Sequence, residues 1–169
     1  YQPAIDAFTR YLETDSEGYR REKAHWYLAL SLKANRNLWQ AIQEFEEFVK
    51  TNPDSEFVTE AWLEMAEAYA WQDNNDQALS TYRSLADKYP KSSLAPTALW
   101  EAAELEMDGG DLEKAAASFR DLAARYPDDE GAPDALFEAA LLDYRLGEFD
   151  AARESWEALV LEFPDSQTS

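Results

Sequence analysis

The sequence predicts an all-α fold, a solenoid of antiparallel helix pairs with about nine helices. Three observations predict it. Four prolines, Pro53, Pro90, Pro127 and Pro164, stand 37 residues apart. Alanine keeps the same step at Ala4, Ala41, Ala78, Ala115 and Ala152, and an aromatic follows each by four residues at Phe8, Phe45, Tyr82, Phe119 and Trp156. Within each period, apolar residues at helical spacing form two runs joined by a short polar link. A fixed period of this length marks a repeat architecture, because one helix pair cannot bury both of its faces and stacked pairs can. The 169 residues are read as one domain, 1–169, made of a half repeat 1–16 and whole repeats 17–53, 54–90, 91–127 and 128–164.

Each element follows from the repeating columns. Ala4, Phe8 and Tyr11 share a face of a helix over 3–14, and Ala24 and Ala29 mark one over 20–34. Ala41, Phe45 and Phe48 carry a helix over 38–51, which ends ahead of Pro53 because the residue before proline is driven out of the α region. Ala61, Met65, Ala66 and Tyr69 place a helix over 56–72, with Ser55 as its expected N-cap. Ala78, Tyr82, Leu85 and Ala86 place the next over 76–88. A helix over 93–107 has Ser92 as its cap and tolerates Pro96 only in its first turn; Ala115, Phe119 and Leu122 give one over 112–125. Asp129 caps a helix over 131–145 with Pro133 in its first turn, and Ala152, Trp156 and Leu159 give the last over 149–162. The links within pairs are Asn35-Arg36-Asn37, Asp73-Asn74-Asn75, Asp108-Gly109-Gly110-Asp111 and Leu146-Gly147-Glu148. Ala29 and Ala41, Ala66 and Ala78, Ala103 and Ala115, and Ala140 and Ala152 stand 12 apart, one on each helix of a pair. They predict a close crossing with no room for more than a methyl.

Composition narrows the function. With 35 acidic and 15 basic residues the net charge is −20, which repels phosphate backbones and anionic headgroups, so no nucleic-acid partner is expected. A hydrophobic share of 46% is too high for a disordered acidic tail. No run of about 18 apolar residues is present to span a membrane. The absence of cysteine removes disulfides, thiolate zinc sites and a cysteine nucleophile. The chain opens on Tyr1 without a basic segment followed by an apolar one, and it is read as a fragment.

The small residue, the 12-residue step to alanine, the aromatic four positions on and the proline twelve on together resemble the tetratricopeptide repeat family, over nearly the whole chain. The resemblance implies a right-handed superhelical solenoid that binds peptides or proteins. Two features depart from the family pattern. The usual period is about 34 residues, and the extra residues here lie between the proline and the next helix. The family's first-helix Trp stands at Trp62 but is His25, Leu99 and Leu136 elsewhere, and its Tyr column reads Leu32, Tyr69, Glu106 and Asp143. Repeats of this longer kind, with linkers such as Tyr89-Pro90-Lys91-Ser92, resemble those of bacterial cell-envelope proteins of the TolA-binding-coordinator and barrel-assembly-lipoprotein type, which implies a periplasmic or cell-envelope setting. Similar arrays form the non-catalytic superhelical region of cell-wall lytic transglycosylases, the alternative reading.

Chemistry is sparse. The chain holds no phosphate-binding glycine loop, zinc-protease pair or nucleophile elbow. The lone histidine, His25, occupies a column otherwise filled by Trp and Leu and is expected to pack rather than to bind metal. No enzyme activity, cofactor or metal is expected.

In the resembled family, ligands lie along the first helices, and the ligand-facing positions are counted from Ala29, Ala66, Ala103 and Ala140. They give Trp26, Glu64, Glu67, Trp71, Trp100, Glu101, Glu104, Phe137, Glu138 and Tyr144 as the expected partner-binding residues. Acids at these positions disfavour a clamp for a terminal carboxylate. Large apolar groups beside acids suit a protein or peptide with apolar anchors and basic flanks. The same residues admit a plainer account, in which Trp26, Trp100 and Phe137 pack between first helices and the Glu column is a solvated face. At the ends, Ile5, Phe8 and Leu12, and Trp156, Leu159, Val160 and Phe163, are apolar, which implies end-to-end self-association of the fragment.

Overall fold

The computed structural model describes residues 1–14 and 19–164. Among these, nine helices follow one another without a strand: α1 (Gln2–Thr14), α2 (Tyr19–Ala34), α3 (Leu38–Thr51), α4 (Val58–Ala70), α5 (Asn75–Lys88), α6 (Leu94–Asp108), α7 (Leu112–Arg125), α8 (Ala132–Leu146) and α9 (Phe149–Glu162). The chain divides into two compact units, Tyr1–Leu94 and Ala95–Ser169.

Two devices recur at the period of the sequence. At the end of each first helix, the N–H groups of Asn37, Asn74, Asp111 and Glu148 reach back to the carbonyls of Leu32, Tyr69, Glu106 and Asp143 at 2.9, 3.0, 2.9 and 2.9 Å. Those of Arg36, Asp73, Gly110 and Gly147 bond to Lys33, Ala70, Met107 and Tyr144. This pair of bonds is the Schellman termination, which requires a left-handed residue just past the helix. Positions 36, 73, 110 and 147 supply it at φ of 61, 58, 84 and 84°. Each second helix instead stops before proline, with Asn52, Tyr89, Tyr126 and Phe163 at φ between −125 and −131° and ψ near 58°.

The residues between proline and the next helix do not cap it as the sequence reading expects. Ser55 and Asp129 stand three residues ahead of α4 and α8, whose caps are Phe57 and Gly131. The Ser55, Ser92 and Asp129 side chains accept bonds from the N–H groups of Phe57, Leu94 and Gly131 at 3.0, 3.2 and 2.9 Å. A short side chain that bonds two residues ahead closes a turn of its own. The insertion that lengthens the period is thus a structured turn.

In the first unit the core gathers Ile5 of α1, Trp26 and Leu32 of α2, Ile42, Phe45 and Phe48 of α3, and Ala61 and Met65 of α4. In both units the paired alanines are fully buried, as are Phe45 and Phe119 of the aromatic column. His25 lies against Phe48, and its Nε2 is 2.8 Å from Glu44. The substituted Tyr column buries carboxylates in the second unit. Ser118 Oγ donates to Glu106 at 2.6 Å, and Arg120 pairs with Asp143. On α9, Leu159 is buried but Val160 is 70% exposed, whereas its counterpart Ala123 on α7 is buried.

Candidate functional site

The expected partner-binding residues fall into two groups, one in each unit. In the first unit, α2 carries Trp26 and Lys33 and α4 carries Glu64 and Glu67, with Trp71 just past its end. Trp26 is only 6% exposed. Its ring stacks on Phe57 at 5.6 Å and lies 5.8 Å from both Phe45 and Phe48. The structure therefore places Trp26 in the core rather than on an open face, because it sits where α2 meets the α3 aromatics.

Glu64 and Glu67 do come together, around a group the sequence reading did not single out. The Lys33 side chain is 6% exposed, and its Nζ donates to Glu64 Oε2 at 2.5 Å and to Glu67 Oε2. A buried ammonium is retained only where carboxylates answer it. Two carboxylates and one cation leave this cluster at about −1. Trp71, 48% exposed, roofs it, with Lys33 Nζ 4.5 Å and Arg36 Cζ 4.4 Å from its ring centre. The signal for Lys33 lies in facing columns: 31 and 34 residues separate it from the two acids, six and three short of the period.

Also on α4, Tyr69 donates its hydroxyl to Glu46 Oε1 at 2.8 Å. Burial, with the Glu46 carboxylate adding to it, pushes this phenol up to about 12.

In the second unit, α6 carries Trp100, Glu101 and Glu104, and α8 carries Phe137, Glu138 and Tyr144. Trp100 is half-buried, with its ring at 5.0 Å and a steep angle to Phe119. Phe137, Glu101, Glu104 and Glu138 are half-buried. Tyr144 is 56% exposed and packs edge-on to Phe149 at 5.5 Å. Among the described residues no cation pairs with Glu104 or Glu138, and no group of three His, Asp or Glu side chains is arranged to hold a metal ion. No helix among them is long and apolar enough to cross a membrane.

A family model described as tetratricopeptide repeat matches residues 60–92, 97–129 and 134–166. Each match starts on a first helix and ends at or just past the following proline. We find no match to the chain among curated proteins. Among solved structures, the chain is similar to the nearly identical repeats of a putative kinesin light chain from Podosopora anserina, at 17% identity over 99% of this chain and 89% of that one, with a TM-score of 0.65. It is similar to MamA at 16% identity over 94% and 85% of the two chains, with a TM-score of 0.64. It is also similar to YrrB, described as a protein of this repeat type with an unusual peptide-binding site, at 15% identity over 97% and 78%, with a TM-score of 0.61.

Proposed function

Because the chain belongs to the tetratricopeptide repeat family, whose helix pairs bind peptides and proteins, we propose that it is a non-catalytic scaffold. It takes a partner protein segment with apolar anchors and basic flanks against its first helices. One observation carries this reading. On α6 and α8, the half-buried Trp100 and Phe137 and the exposed Tyr144 accompany Glu104 and Glu138, two carboxylates without a pairing cation among the described residues. Aromatic side chains of this kind supply most of the energy of a protein interface, and uncompensated acids supply steering and choice of partner. The corresponding acids of the first unit, Glu64 and Glu67, are already answered by Lys33, so basic flanks gain more from the second unit.

The probe is a set of labelled twelve-residue peptides with Phe or Leu anchors between Lys and Arg, titrated against the whole chain by fluorescence anisotropy. Trp100→Ala should weaken the best binder by about 2 kcal/mol. Glu104→Lys should chiefly slow association, and binding should weaken with salt, since screening at 0.15 M acts over about 8 Å. Affinity indifferent to both substitutions and to salt would refute the reading.

A further inference from the structure

Around the α2–α3 turn the chain departs from its own repeat at three positions, two within that hairpin and one at the end of α4. The left-handed position past the first helix is Gly110 or Gly147 in the second unit and Asp73 in the α4–α5 pair, but here it is Arg36, at φ 61°. A side chain longer than Asn or Asp at such a φ carries a local cost. The first turn of the second helix holds an acid in the other pairs, Asp76, Glu113 or Asp150, and none in α3. There the equivalent residue is Trp39, 65% exposed, where an acid would meet the positive end of the helix. The third is Trp71, whose counterparts Ala34, Asp108 and Arg145 are not aromatic.

The fold collects all three. Arg36 lies on the Trp71 ring, and Arg36, Trp39, Gln40 and Gln72 line one open cleft. Local rules broken at one spot, with no return in core packing, mark a surface kept for binding. Among the described residues no carboxylate pairs with Arg36. A guanidinium held over an aromatic ring still has N–H donors to offer a carboxylate. The other cation at Trp71, Lys33, is buried and held by Glu64 and Glu67.

We propose that this surface docks a partner protein segment in which a single Asp or Glu side chain stands beside an aromatic or aliphatic one, the carboxylate on Arg36 and the apolar group on Trp39. One uncommitted cation matches a singly charged carboxylate. A phosphate dianion calls for a second cation, which Lys33 cannot supply, and a run of acids is repelled by a chain of net charge −20. This surface is built from residues of the first unit and shares none with the acidic faces of α6 and α8, so the two proposals fail independently.

The test is selection of a random dodecapeptide library on the whole chain, followed by titration of the synthesised winners. A class with an adjacent acidic–apolar pair should emerge, and changing its acid to the amide should weaken binding about tenfold or more. Trp39→Asp and Arg36→Gly restore what other pairs carry, so they should melt no lower than the parent yet bind at least tenfold more weakly. Arg36→Gln, which leaves the backbone strain in place, should lose binding to the same extent, and Trp100→Ala should leave it unchanged. The proposal is overturned if no enriched peptide depends on Arg36 and Trp39, if the amide form binds equally well, or if phosphoserine in place of the acid binds more tightly.

Discussion

The four left-handed residues that end the first helices allow a test in which the sign of the effect decides. In Gly110→Ala and Gly147→Ala, the added methyl would meet no atom within 4 Å. Contact therefore contributes nothing, and the cost of holding an L-residue at φ 84°, about 1–2 kcal/mol, is offset only in part by the roughly 0.4–1 kcal/mol that alanine gains by restricting the unfolded chain. For a chain of this size 1 kcal/mol moves the melting midpoint by about 2–4 °C, so each variant should melt lower, by up to about 6 °C. Asp73→Gly works in the other direction, since it relaxes φ 58°. Its gain is smaller, because glycine returns about 0.5–1 kcal/mol of freedom to the unfolded chain. The assay is thermal and urea unfolding of the three variants beside the parent, with the urea slope checked for constancy. Hydrogen exchange should locate the Gly110→Ala loss at the α6–α7 link and the Gly147→Ala loss at the α8–α9 link. At an ordinary φ the same Gly→Ala change would stabilise by about 0.4–1 kcal/mol. A rise in the midpoint for both glycine variants would therefore refute the reasoning.

Ala66→Leu and Ala103→Leu should each overpack a crossing whose alanines are fully buried and cost about 1–3 kcal/mol; an unchanged urea midpoint for both would place those alanines outside close contacts. Arg120→Ala strands the buried Asp143 carboxylate and should cost about 2–3 kcal/mol, measured by denaturant unfolding, whereas replacing the nearby exposed Glu154 by Ala should cost little. Tyr69 binds its proton more tightly folded, at about 12, than the usual 10 of a free phenol. Its contribution, on the order of 1 kcal/mol, is therefore complete below pH 10 and lost as pH rises toward 12. The stability gap between the parent and Tyr69→Phe should close over that window, and a gap that stays constant through pH 12 would contradict the assignment.

The helices and their ends were largely legible in the sequence. A 37-residue period carried by alanine, aromatic and proline columns reports directly on buried crossings and chain reversals, because close packing admits few residue types there. Trp26 shows where that legibility stops. One turn of helix cannot tell whether an aromatic meets a partner or the core, and the neighbouring α3 aromatics decided it. The acid column was equally incomplete when read alone, since the charge Glu64 and Glu67 present depends on Lys33 reaching them from another helix. Ser55 and Asp129 read as caps in the sequence because the same side chains serve caps and turns alike, and the backbone geometry selects the turn. The local pattern by itself determined which residues turn, cross and stop. Tertiary structure alone decided which of them are compensated, buried or left open, because those properties belong to pairs of residues that the chain brings together from different helices.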